Sequence, residues 1–207
     1  VNKTIAAALL SILALPLLGA GPAPDSDYNQ WRGPKRDGHS ADTGLLKEWP
    51  AGGPALAWKI TGIGGGFSSV STSGDRIFTM GDQGDTCNII ALNLADGKQV
   101  WTAKVGKTEG GGGYPGPRCT PSADGKLVIA VGQYGDLVCV DQADGKEKWH
   151  KNLESDFGGK NPHWGYAESP LIDGDNVICI PGGSKGAVVA LKKATGELVW
   201  QSGDIKD

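Results

Sequence analysis

The 207-residue sequence has no C-x-x-C pair, no C-x-x-C-H run, no basic stretch and, beyond residue 23, no segment with helical periodicity. Each absence removes a class. Cys87, Cys119, Cys139 and Cys179 stand far apart, which removes haem attachment and the paired-cysteine metal and redox motifs. A net charge of −3 without a basic run argues against a nucleic-acid surface and leaves proteins, glycans or small molecules as partners. The three histidines, His39, His150 and His163, have neither metal-ligand nor catalytic-triad spacing. With no helical period, the class that remains is all-β. The 34 glycines show no collagen period, and they fall where a fold of many short strands needs turns.

What is present is repetition. Asp96-Gly97-Lys98-Gln99-Val100-Trp101 returns as Asp144-Gly145-Lys146-Glu147-Lys148-Trp149 and as Thr195-Gly196-Glu197-Leu198-Val199-Trp200. Each copy follows a short apolar run: Ile89–Leu92, Leu137–Val140 and Val188–Leu191. The pattern predicts a β-hairpin closed by a two-residue primed turn, with Gly97, Gly145 and Gly196 at positive φ. Upstream of each hairpin lies another apolar strand: Arg76–Met80, Leu127–Val131 and Val177–Ile180. Ahead of that comes a short first strand, at Ser68–Ser71, Cys119–Ser122 and Glu168–Leu171. Trp58, Trp101, Trp149 and Trp200 are separated by 43, 48 and 51 residues. Four strands at that period predict propeller blades, at about residues 62–103, 114–153 and 164–203.

The apolar run from Ile5 to Leu18, preceded by Lys3 and followed by small residues, reads as a signal peptide over 1–23. An uncleaved anchor is the alternative, although the run is shorter than the roughly 20 residues a span requires. The expected location is periplasmic or secreted, with no membrane span after signal removal. Residues 24–57, rich in Pro, Gly and charge, read as a leading segment that crosses the face or edge of the propeller repeats of 58–207. Ala55–Ile60 is expected to form an extra outer strand.

Ser/Thr-Pro, a turn, two apolar strands and Thr/Asp-Gly-Lys-x-x-Trp together resemble the pyrroloquinoline-quinone-like (PQQ-like) repeat. That repeat is carried by propellers of quinoprotein alcohol dehydrogenases and of BamB-type outer-membrane assembly lipoproteins. Trp31-Arg32-Gly33-Pro34, Gly116–Pro121 and Trp164–Pro170 resemble a secreted bacterial branch of it. The resemblance covers roughly residues 28–207 and implies a partial ring of about three blades plus one outer strand. Rings close with about four to eight blades, so the expectation is a fragment of a seven- or eight-bladed propeller. The rest of the ring would come from the same chain or, if the array is short and open, from a second copy. No cysteine stands directly after the apolar N-terminal run, the first being Cys87, a departure from the lipoprotein relatives.

Two functions follow from the resemblance, since a fold does not fix an activity. One is a noncatalytic binding or assembly scaffold for a protein or carbohydrate. The other is a PQQ-dependent alcohol or sugar dehydrogenase, in which calcium polarises the quinone and a carboxylate takes the substrate proton. The vicinal cysteines of those dehydrogenases are missing here, which favours binding. No catalytic residue or metal ligand is assigned. The candidate ligand residues are Arg118, His163, Trp164, Tyr166 and Glu168, which precede or enter first strands and so face the axis. Arg118 and Glu168, from neighbouring blades, would form a channel ion pair or bind a carboxylate or sugar hydroxyl.

Other chemistry-like features take structural readings. The repeated tryptophans are expected to pack between blades. Cys139 and Cys179 align with small strand residues and read as buried hydrophobes, although four cysteines in an exported chain also permit disulfides. Gly111-x-Gly113-x-x-Gly116 matches a dinucleotide fingerprint, but Pro115 and Pro117 stand where its helix would open, so it reads as a loop. Gly62–Gly66 reads as a flexible lead into a first strand.

Overall fold

The computed structural model describes residues 27–108 and 114–203. The signal-peptide expectation and Gly111 to Gly113 lie outside the described residues. All regular structure within them is β: β1 (Ser71–Ser73), β2 (Arg76–Gln83), β3 (Thr86–Asn93), β4 (Gln99–Lys107), β5 (Ser122–Ala123), β6 (Leu127–Val131), β7 (Asp136–Asp141), β8 (Glu147–Asn152), β9 (Leu171–Asp173), β10 (Asn176–Cys179), β11 (Val189–Lys192) and β12 (Leu198–Gln201). They form three four-stranded antiparallel meanders, β1-β2-β3-β4, β5-β6-β7-β8 and β9-β10-β11-β12. These are three consecutive propeller blades.

Packing between blades explains the sequence pattern. The middle strands β2, β3, β6 and β7 are buried almost throughout, whereas outer strand β4 alternates buried with exposed. A sheet with a neighbour on each face needs apolar residues at successive positions, and a half-solvated strand only at every second. The main core runs through the three blades, with Phe78, Ile129, Leu137, Leu153 and Leu191 among its buried side chains, and a smaller cluster of Ile77, Ile90 and Leu92 packs against Trp58.

The indoles clasp one blade to the next. The N–H of Trp101 donates to the Gln142 carbonyl of the next hairpin at 3.1 Å, and that of Trp149 donates to Lys193 at 2.8 Å. Three residues after each acceptor comes Gly145 or Gly196, at φ +72° and +71°. A Cβ there would lie 2.6 Å from the Trp101 ring or 2.8 Å from the Trp149 ring. Glycine is therefore required twice over, by the left-handed backbone and by the ring stacked on it. Trp58 repeats the clasp on Gly97 and donates to the Leu94 carbonyl at 3.1 Å, although Ala55–Ile60 is not a strand. The expected extra outer strand is thus corrected: only its tryptophan takes the seat. Trp200, 45% exposed, carries no hairpin among the described residues.

Two further expectations are corrected. The hairpin turn is four residues long, not two: Asn93 pairs with Lys98, and the Gly97 amide returns to the Asn93 carbonyl, with the same pattern at Asp141/Lys146 and Lys192/Glu197. A bulge follows each loop, with Val100, Lys148 or Val199 as the extra residue beside Trp101, Trp149 or Trp200. It adds twist and lets the loop close without a primed turn. The first strands begin about three residues later than expected. Pro121 and Pro170 have no N–H to give a ladder, so pairing starts after them. The prolines and the residues on either side of them bond from blade to blade instead. The Ser71 hydroxyl donates to the Pro121 carbonyl (2.6 Å) and Ser122 to Pro170 (2.5 Å), while the Thr120 amide donates to the Ser169 hydroxyl (2.9 Å). Gly65 bridges Asp82 of β2, and Gly64 lies tight against the same residue's backbone. At Gly64 a Cβ would lie 2.5 Å from the Asp82 carbonyl oxygen, so glycine there permits close backbone approach where the sequence suggested only flexibility.

The leading segment runs along the inner edge of all three blades. Tyr28 exchanges hydrogen bonds with Thr72, Asn29 with Ala123, and Arg36 donates to the Ser169 carbonyl at 2.8 Å.

Candidate functional site

Where that strap reaches the third blade, a cavity of about 540 Å3 opens at the inner ends of the blades. The strap supplies Trp31 and Arg36, the first blade Phe67, the second Arg118, and the third Glu168 with an apolar wall of Leu171, Ile178, Ile180 and Val188. The wall is the uncovered face of the third blade, which explains why its strands β9 and β12 are so exposed.

Arg36 has a left-handed backbone (φ 55°) and is half-buried, with its guanidinium 5.8 Å from the Trp31 ring centroid. Desolvation pulls its pKa down, and Glu168 opposes that shift. Glu168 accepts the Ile180 amide on both oxygens, at 2.9 and 2.8 Å. Burial nevertheless pushes its carboxyl up to about 7, with the Ile180 N–H and Arg36 pulling the other way. Arg118 donates to the carbonyls of Gly116 (3.0 Å) and Tyr114 (2.6 Å), and its guanidinium lies 5.6 Å from the Phe67 ring centroid.

The expected Arg118–Glu168 ion pair does not form. The bonds that hold Arg118 run to its own loop, and the cation beside Glu168 is Arg36 of the strap. Trp164 is 51% exposed and meets Tyr114 edge to face at 5.9 Å and His163 at 4.7 Å. Tyr114 in turn meets Phe67 at 6.2 Å. These aromatics and Arg118 line a second cleft of about 460 Å3 that shares Phe67 and Arg118 with the first. Tyr166 departs from its expected role. It is buried in the core, its hydroxyl donates to the Pro181 carbonyl at 3.0 Å, and its ring lies against Gly135. A ligand cannot reach it without opening the blade.

Arg118, Trp164, His163 and Glu168 thus gather at one end of the axis. Trp31, Arg36, Phe67 and Tyr114 join them unannounced. Trp31 stood in a quoted motif, but Arg36 reaches Ser169 across 133 positions of chain, and no local pattern encodes that contact.

A quinone with calcium finds no matching residue set here. Among the described residues no group of three or more His, Cys, Asp or Glu could hold a metal ion. The one acid of the cavity, Glu168, shares the single Ile180 N–H between its two oxygens. The four cysteines are separate and buried, with burial pushing every thiol pKa up.

Three blades joined by indole clasps define a propeller of PQQ-like repeats. Residues 85–206 match the family described as outer membrane protein assembly factor BamB, and the chain belongs to that family. No curated protein matches the sequence. Among solved structures, quinohemoprotein alcohol dehydrogenase from Comamonas testosteroni is similar at a TM-score of 0.63 and 19% identity over 87% of this chain and 27% of its own. Quinohemoprotein alcohol dehydrogenase ADHIIG from Pseudomonas putida HK5 is similar at 0.51 and 18% over 70% and 22%. The chain thus spans about a quarter of their length, and at these identities the likeness is one of fold. No helix among the described residues is long and apolar enough to cross a membrane, which says nothing of a β-barrel.

Proposed function

We propose that this chain is a noncatalytic, exported binding scaffold whose partner, a protein or a carbohydrate, docks on the axial end of the blades. The observation that carries the reading is the convergence of Phe67, Tyr114 and Trp164, each more than half exposed and each from the stretch leading into a different blade. Exposed aromatics beside an arginine are the residue types that anchor interfaces, and a monomer gains nothing from leaving three of them in water. The family's description as an assembly factor supports a protein partner. Export rests on the apolar N-terminal run, and periplasmic or secreted location follows from it. The open face at Leu198 and Trp200 is the seat for a further blade, supplied by the same chain or a second copy.

The test is binding of the purified chain to peptide and glycan arrays, with Trp164→Ala and Tyr114→Ala as variants. Signals that fall about tenfold or more with unchanged melting are the expected result. Calcium-dependent PQQ uptake with dye reduction would instead establish the dehydrogenase alternative and end the noncatalytic reading.

A further inference from the structure

We infer that the cavity between Arg36 and Arg118 seats a carboxylate: an aspartate or glutamate side chain of a peptide partner, with apolar residues on either side of it. The inference rests on the binding-scaffold reading above and adds the chemistry of the partner. Two guanidiniums line one cavity. Their hydrogen bonds run only to backbone carbonyls, one from Arg36 and two from Arg118. Each guanidinium has five N–H donors, so several on each remain to be used.

Neither arginine has a carboxylate within ion-pair distance among the described residues, whereas exposed lysines such as Lys98 and Lys146 sit on neighbouring aspartates. Glu168 is the one acid in the cavity wall, and it is turned onto the Ile180 amide. The cavity therefore carries net positive charge whether Glu168 is ionised or not. Planar guanidinium forks match carboxylate geometry. A doubly charged phosphate would meet Glu168 at close quarters, which favours the monoanion.

The rest of the wall is apolar and continues through Phe67 into the cleft of Tyr114 and Trp164. Together the two spaces exceed what one side chain fills. An extended peptide with its acid between the arginines and its flanking residues on Phe67, Tyr114 and Trp164 leaves the open face of the third blade to a further blade, whereas a free small acid would leave the aromatic cleft wet. Arg36 has to leave the usual backbone region to stand there, and the strap's bonds to all three blades hold it in place.

The experiment is an array of pentapeptides with a central Glu, Asp, Gln or Asn and flanks drawn from Leu, Val, Phe and Trp, probed with the 207-residue chain. Bound spots should concentrate at Glu and Asp centres by about tenfold over their amides, and the preference should shrink as salt rises from about 50 to about 300 mM. Arg118→Gln should abolish the preference. Because Arg36 also anchors the strap, Arg36→Lys is paired with it: the charge and the bond to Ser169 stay, the fork goes, and the preference should fall with melting unchanged. Bound spots indifferent to the central residue, or a preference that survives Arg118→Gln, would overturn the inference while leaving the aromatic docking face intact. Binding of no peptide would remove both the inference and a protein partner for the scaffold.

Discussion

Gly145→Ala isolates the clasp between blades. Its added Cβ would stand 2.6 Å from Cε3 and 2.7 Å from Cδ2 of Trp101. The indole cannot retreat freely, because it is 8% exposed, lies 5.8 Å from the Phe78 ring and donates to Gln142. Two costs combine. The left-handed backbone costs an alanine about 1–2 kcal/mol, and forcing a group into a packed contact adds about 1–3 kcal/mol. Gly125→Ala, in the same blade at φ +87° with nothing within 4 Å of its Cβ position, incurs only the first. Urea unfolding should therefore place Gly145→Ala about 1–3 kcal/mol below Gly125→Ala. Trp101→Ala alone should cost about 3–5 kcal/mol. The double variant Trp101→Ala/Gly145→Ala should be more stable than the sum of its parts, since the clash disappears with the ring. Equal losses for the two glycine variants, or full additivity in the cycle, would refute the claim that glycine is there to admit the indole.

Two other measurements bear on the site and the core. Folding raises the Glu168 pKa from 4.5 to about 7, so the native state holds the proton that the unfolded chain releases. This stabilisation is present below about pH 4.5 and is lost as pH rises to about 7, by at most about 3 kcal/mol. Glu168→Gln should flatten that fall in urea midpoints between pH 5 and 8, and parallel profiles for variant and wild type would refute the assignment. The four thiols are buried, with burial pushing Cys119 and Cys139 up to about 12. A disulfide-exchange dye should label none in the native chain at pH 8 and all of them in denaturant; rapid native labelling, or missing thiols after unreduced denaturation, would contradict the free, buried state.

The repeat made the blades legible because each copy carries the parts of the clasp, acceptor, glycine and tryptophan, at fixed offsets, although each indole finds its acceptor in the next copy. Features that depend on distant partners were not legible. Ser68 and Ser71 bound one expected strand, yet only the second begins a strand, since the hydroxyl of the first reaches the Cys119 carbonyl in the next blade. Trp164 and Tyr166 are two positions apart, on a stretch read as one binding loop. Gly135 leaves room for Tyr166 to enter the core, while Trp164 points to solvent beside Tyr114. The expected turn was too short for a related reason, because a bulge beside each tryptophan changes the register the loop must close.

The same topology separates what stabilises the blades from what they present. The indole clasps join outer strands to the hairpins of the next blade. At the inner edge the blades touch through hydroxyl-to-carbonyl bonds, from Ser71 and Ser122. The first residue of β9 is Leu171, in the place those serines occupy, and it faces the cavity. A serine at that place would bind the next blade's carbonyl; a leucine instead gives the cavity an apolar floor. The strap then delivers Arg36 over that floor, anchored to Ser169, the residue whose hydroxyl already joins the second and third blades. The inner edge can therefore change its chemistry without touching the clasps, because its specificity is set by loop and strap residues that contribute little to the core.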